Sequence, residues 1–206
     1  MLMPQLTTKE AIAARRSIRR FKPDPVSDEH IAELLDAARL APSGSNAQPW
    51  RFKIVKDAPT RALLMAAANN QKFIGAAPVV LVCCVDIQGY VAGTLATVEA
   101  LSAAGGLPAD MAVSIRRRTE ELAAGPRDLA AARIAFNIGI AGEHIALRAL
   151  DFGLATCWVR ALDEQRVREL FGWSENIYVA ALLPIGYPAE APPPRPRRPL
   201  SEMILP

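Results

Sequence analysis

Residues 78–85 read Pro-Val-Val-Leu-Val-Cys-Cys-Val, a run that is almost wholly apolar, rich in β-branched side chains and without polar alternation. Successive side chains of a strand point to opposite faces, so a strand of this composition has to be covered on both. A sheet with a layer on each side is the arrangement that satisfies it. The rest of the chain offers helices for those layers. Ala130–Leu150 is the longest apolar stretch, broken by Arg133, Asn137, Glu143, His144 and Arg148, which argues against a membrane span and for a central helix, in the core or in a subunit interface.

Local signals place the other elements. Thr7 and Glu10 have capping-box spacing, which starts a first helix that runs toward a group of arginines. Ser27, followed by Asp28 and Glu29, is an N-cap for a second helix, with Ile31, Leu34, Leu35 and Ala38 as its apolar stripe. Trp50, Phe52 and Ile54 alternate with Arg51 and Lys53, the pattern of a half-buried strand. Asp57-Ala58-Pro59-Thr60 opens a helix expected to reach about Asn69. Residues 89–125 are alanine-rich and helical, with a break at 105–108. Thr156–Arg160 and Ile177–Ile185 are expected to be the last two strands. From Pro188 onward proline makes up half of the next dozen residues, so this segment is extended.

A chain of 206 residues with 51% apolar and 22% charged residues suits one globular domain spanning 1–206. The net charge of +3 does not suggest a nucleic-acid coat. No apolar run lies within Met1–Glu10, so no secretory signal is expected. The three cysteines cannot close a disulfide framework and, with His30 and His144, offer no metal-ligand spacing; the expected compartment is the reducing cytoplasm. No nucleophile elbow or acid–base dyad is visible.

Chemistry enters with Arg15-Arg16-Ser17-Ile18-Arg19-Arg20, four guanidiniums and a hydroxyl within six residues. Taken alone this is either a solvated basic turn, a nucleic-acid patch or an anion site, since arginine grips phosphate in a two-pronged fashion. A second stretch, Ala41-Pro42-Ser43-Gly44-Ser45-Asn46-Ala47-Gln48-Pro49-Trp50, is a tight polar loop closed by a proline and a large aromatic. Gly153-Leu154-Ala155-Thr156-Cys157-Trp158-Val159 and Pro184-Ile185-Gly186-Tyr187-Pro188 follow late in the chain. These four pieces, in this order and over nearly the whole length, resemble the FMN-dependent nitroreductase family, which includes small NAD(P)H oxidases.

The resemblance implies an α+β fold with a central, mostly antiparallel sheet flanked by helices. It also implies an intertwined homodimer that exchanges C-terminal arms, here residues 188–206. It implies FMN as cofactor and NAD(P)H as donor, with nitroaromatics, quinones or related small molecules reduced in a two-electron ping-pong cycle. By the same resemblance Arg15 and Arg16 belong to the phosphate-binding run, with Arg15 on the phosphate, while Ser17 and Arg19 reach the ribityl chain and the pyrimidine edge. Arg195 and Arg197, with Arg198 as a rival in register, return to the phosphate. Pro42, Ser43 and Asn46 line the flavin of the neighbouring subunit, and Trp50 reads instead as a core anchor. Gln71 is placed against the pyrimidine edge, although a surface turn explains it equally well. Val159 and Arg160 lie along the reactive side, where a backbone N–H does the work. Gly186 marks a close approach of the chain. Cys157, in an apolar strand, reads as structural.

Two other readings share some of these features. The same scaffold hosts specialised flavin chemistry, such as flavin fragmentation, dehalogenation or azoline oxidation, which the variable 89–125 segment would distinguish. The other is a basic, non-catalytic module for phosphorylated ligands, although Phe21 and Trp50 are too few aromatics near the arginines for base stacking.

Overall fold

A computed structural model describes residues 6–205. Four strands form its sheet: β1 (Trp50–Val55), β2 (Val79–Asp86), β3 (Ala155–Thr156) and β4 (Ile177–Gly186). Their spatial order is β1-β2-β4-β3, and every strand pairing is antiparallel. Strand β2 occupies the interior of the sheet, and its residues from Val79 to Val85 are all buried. Val79, Leu81, Cys83 and Val85 face one core, and Val80, Val82 and Cys84 face the other. The adjacent cysteines therefore point apart. Burial alone pushes the Cys83 thiol up to about 12, and it also raises Cys84.

The first core lies under α2 (Asp28–Arg39) and α7 (Arg127–Arg148), and α5 (Ile87–Ala103) and α6 (Ala109–Ala124) pack beside α7. The second lies under α3 (Ala58–Ala67), α4 (Lys72–Ala76) and α8 (Glu164–Leu170). A short α1 (Thr8–Ala14) leads into the sheet edge. Among the described residues no helix is long and apolar enough to cross a membrane.

Several helix starts follow from local chemistry. Thr7 and Glu10 form a reciprocal capping box, and Ser27 and Asp57 cap α2 and α3 through His30 N–H and Thr60 N–H. Each such cap satisfies a backbone N–H that has no partner within its helix.

The structure also corrects the sequence reading. Helix α1 ends at Ala14, next to the arginine run as expected, and Arg16 reaches back to donate to the Ala13 and Arg15 carbonyls; the other elements differ in detail. Helix α3 stops at Ala67, two residues short of Asn69, because Asn69 and Asn70 take left-handed φ values of 55° and 54°. Helix α7 starts at Arg127 rather than Ala130. The strand expected over 156–160 shrinks to Ala155–Thr156; beyond it the Cys157 N–H donates to Pro184 O at 3.3 Å and Val159 bridges Leu182. Strand β4 carries a bulge opposite Cys83/Cys84, so Ala180 and Ala181 both turn toward the first core. Helix α8, capped by Asp163, was not foreseen.

Candidate functional site

Beyond α1 the chain runs extended along the sheet edge. Ser17 forms a parallel bridge with Thr156, and the Ile18 N–H donates to the Thr156 carbonyl at 3.0 Å. Further on, the Lys22 N–H donates to Tyr187 O and the Ala189 N–H to Arg20 O, both at 2.8 Å. This zipper fixes an alternation. Ile18 is buried, whereas Arg15, Ser17 and Arg19 all act on the Cys157 thiol. Burial raises that thiol above its ordinary value; the Arg19 charge, a Ser17 hydrogen bond and the Arg15 charge pull it back. Cys157 is only 1% exposed, in keeping with a structural role.

Arg16 has the opposite phase. It lines a separate cavity of ≈ 430 Å³ with Ile18, Leu150 and Pro188, and the structure thus parts it from Arg15, Ser17 and Arg19. In an extended segment, neighbours in sequence cannot share a face.

Arg15 is held by a residue that the sequence did not single out for a role. Its Nε lies 3.2 Å from Glu143 Oε1, and Glu143 Oε2 accepts the Trp158 indole N–H at 3.1 Å. Glu143 comes from α7, so one carboxylate fixes both the guanidinium and the indole. The signal was an acid interrupting an apolar helix; its partners are far off in sequence. Gly142 completes the arrangement. A Cβ there would lie 2.2 Å from Trp158 Cη2, so only glycine lets the ring lie against α7. Gly142→Ala is expected to displace the indole and lower stability by roughly 1–3 kcal/mol, the usual cost of overpacking. Thermal unfolding checks the stability, and an unshifted indole N–H resonance would contradict the displacement.

Trp158 and Arg160 border an open groove of ≈ 520 Å³, with Phe136, Gly139 and Ile140 of α7 opposite and Ala180 and Ala181 of the β4 bulge as its floor. Among the described residues lining it, Arg160 alone is charged. Val159 is buried, bonded in both directions to Leu182. Gln71 is brought to the same neighbourhood, its amide donating to Ala68 O at 3.0 Å and to Ala161 O at 3.4 Å. The Arg19 guanidinium stands 5.9 Å over the Phe73 ring, just past Gln71. Gly186 is required by its own subunit, since a Cβ there would come 2.6 Å from Pro78 Cδ.

The loop after α2 is unusual in its backbone. Ser45, Asn46 and Gln48 all have positive φ, near 50°, a conformation that costs non-glycine residues energy and clusters at functional sites. Ser43 Oγ accepts the Gln48 N–H at 3.0 Å, and the buried Asn137 of α7 accepts the Gly44 N–H at 3.0 Å. Pro42, Ser43 and Asn46 do not reach the arginine run within this chain: the loop packs on α5, where a Cβ at Gly93 would meet Ala47 O at 3.0 Å. Trp50 is a core residue, 8% exposed.

The C-terminal segment divides in two. Glu190 Oε1 accepts the N–H groups of Arg19 and Arg20 at 2.6 and 3.1 Å, so 188–190 belong to the sheet edge. Beyond it Arg195 and Arg197 are exposed, with no ion pair among the described residues, and Arg198 approaches Glu202 at 3.9 Å. Within one chain these arginines are not brought to Arg15.

The family model described as "Nitroreductase family" matches residues 12–187. A Thermus thermophilus protein named NADH dehydrogenase is 35% identical over 98% of this chain and 97% of its own. The fold matches that of a nitroreductase-like protein from Streptococcus mutans, with a TM-score of 0.78 at 24% identity over 95% of both chains. It also matches an NADPH:FMN oxidoreductase from Vibrio harveyi complexed with NAD+, with a TM-score of 0.71 at 26% identity over 96% of this chain and 76% of that one.

Proposed function

Because the chain belongs to the nitroreductase family, we propose that it is an FMN-dependent oxidoreductase. It uses NAD(P)H to reduce nitroaromatics, quinones or related acceptors in a two-electron ping-pong cycle, as a homodimer. One observation carries this reading: a single carboxylate, Glu143, holds both the Arg15 guanidinium and the Trp158 indole, which sets the arginine segment beside the apolar groove that Trp158 and Arg160 border. The named relatives, an NADH dehydrogenase and an NADPH:FMN oxidoreductase, support the same chemistry.

The residues fit the cofactor. Two guanidiniums and a hydroxyl suit a phosphate and a polyol chain, and the buried Thr156 Oγ1, without a hydrogen-bond partner among the described residues, lies on the strand they anneal to. When bound, FMN would supply the redox chemistry, in keeping with a sequence that displays no nucleophile elbow or acid–base dyad. In this reading Arg15, oriented by Glu143, neutralises the phosphate. Ser17 and Arg19 take the ribityl chain and pyrimidine edge, with Gln71 nearby. Trp158 and Phe136 give the groove aromatic walls, and Arg160 leaves one cation at its border. Pro42, Ser43 and Asn46, which face away from their own arginines, serve the site of a second subunit. A single groove that takes donor and acceptor in turn needs no second nucleotide motif.

Heating the purified protein and chromatographing the released pigment tests the cofactor assignment. FMN is the expected flavin. Colourless protein, or FAD alone, would sink the proposal.

A further inference from the structure

A second polar cavity, of ≈ 400 Å³, lies between α5, α6, α7 and the loop that follows α2. Its chemistry is one-sided. Arg118 of α6 and Arg133 of α7 both line it, Ser45, Tyr90 and Thr94 add hydroxyls from the loop and α5, and no carboxylate is among the lining residues. Neither arginine makes an ion pair among the described residues, and Arg118 has only a long 3.4 Å contact from Nε to Ser114 O. Both guanidiniums are exposed, so solvent screens their mutual repulsion, and the cleft offers an anion two cations with no competing carboxylate. Thr94 is 2% exposed, and its Oγ1 has no hydrogen-bond partner among the described residues. A buried hydroxyl is ordinarily paired, so one that borders a cationic cleft points to a ligand.

We propose that this cavity is a phosphate-binding site, with Arg118 and Arg133 holding the oxyanion and the Ser45, Tyr90 and Thr94 hydroxyls completing its shell. Donors converge from three helices and a loop. That distribution suits a tetrahedral oxyanion better than a planar carboxylate, which a single arginine fork satisfies. The cavity exceeds a bare phosphate, and Ile115, Leu122 and Ile134 give it an apolar wall beside Thr119, whose hydroxyl is already bonded to Ile115 O, so the phosphate is carried on an organic group. Ser45 shares its turn with Ser43 and Asn46. The carrier is therefore the adenosine phosphate of the nicotinamide donor, and this last identification alone rests on the function proposed above.

Isothermal titration of the purified full-length protein with inorganic phosphate and with adenosine 2′,5′-bisphosphate tests the site. Wild type, Arg118→Gln, Arg133→Gln and Thr94→Val are compared, and flavin content is recorded for each. Both arginines are surface-exposed, so their replacement leaves the cores intact. The bisphosphate is expected to bind wild type and to weaken roughly tenfold or more in each arginine variant, as when one charge-assisted contact is lost. The KM for NADPH should rise by a similar factor relative to that for NADH, at unchanged flavin content. Thr94→Val should weaken the bisphosphate without lowering the melting temperature. Inorganic phosphate binding as tightly as the bisphosphate, lost in both arginine variants with the KM ratio unmoved, would keep the site and overturn the donor as its source. No binding by wild type, or binding indifferent to both arginines, would overturn the site itself. Should wild type oxidise neither nicotinamide, the proposed function fails while the titration still decides the site.

Discussion

Replacing Arg15 by alanine will weaken FMN binding by about 2–4 kcal/mol, the range for removing one partner of a desolvated charge pair. That corresponds to a roughly 30-fold to several-hundred-fold higher dissociation constant. The side chain is 22% exposed and held by Glu143 at 3.2 Å, so its guanidinium is oriented before any ligand arrives. Its loss removes the charge and leaves Glu143 as an uncompensated acid beside the phosphate. Glu143→Gln separates these contributions. The amide oxygen still accepts the Trp158 N–H, so the indole keeps its place while Arg15 loses its ionic anchor. The glutamine variant should therefore bind FMN more tightly than the alanine variant. Fluorescence titration of the flavin measures both constants, and excess FMN should restore the activity lost in Arg15→Ala. Flavin retention at the wild-type level in that variant would refute the phosphate assignment of Arg15.

The contact between Arg15 and Glu143 illustrates where sequence reading stops. Thr7, Ser27 and Asp57 were legible because a cap acts within four residues, and β2 because a strand buried on both faces has no polar member. Glu143 meets Arg15 from far along the sequence, and nothing local announces the partner. Arg16 shows a different limit. A cluster of arginines looks like one binding surface until the backbone conformation is known; pairing with Thr156 makes the segment extended and turns alternate residues apart. The β4 bulge, which turns Ala180 into the groove floor, left no sequence mark because alanine fits either face. The 89–125 segment read only as helical. Its polar face, with Tyr90, Thr94 and Arg118, acquires meaning once α5 and α6 are folded against α7.

If the protein is the homodimer proposed above, ending the chain after Glu190 is expected to dissociate it and release the flavin while each subunit keeps its fold. Ending it after Tyr187 should in addition loosen residues 17–22. The difference lies in three residues. Pro188 bridges Phe21, the Ala189 N–H bonds Arg20 O, and Glu190 accepts from the Arg19 and Arg20 amides, so 188–190 hold the arginine segment of their own subunit in place. From residue 191 the chain finds little to bury itself against. Leu200, Met203, Ile204 and Leu205 remain 66–88% exposed, while Phe136 on the outer face of α7 is 73% exposed. Fully burying one such side chain stabilises by about 1.5–3 kcal/mol. A strap with four of them, led by Arg195 and Arg197, suits a second subunit better than solvent. Light scattering at micromolar concentration and the flavin-to-protein ratio report the two effects separately. A truncation at 190 that stays dimeric and flavin-replete would show that the arm does not cross between subunits. A flavin-replete monomer would show that the site is complete within one chain.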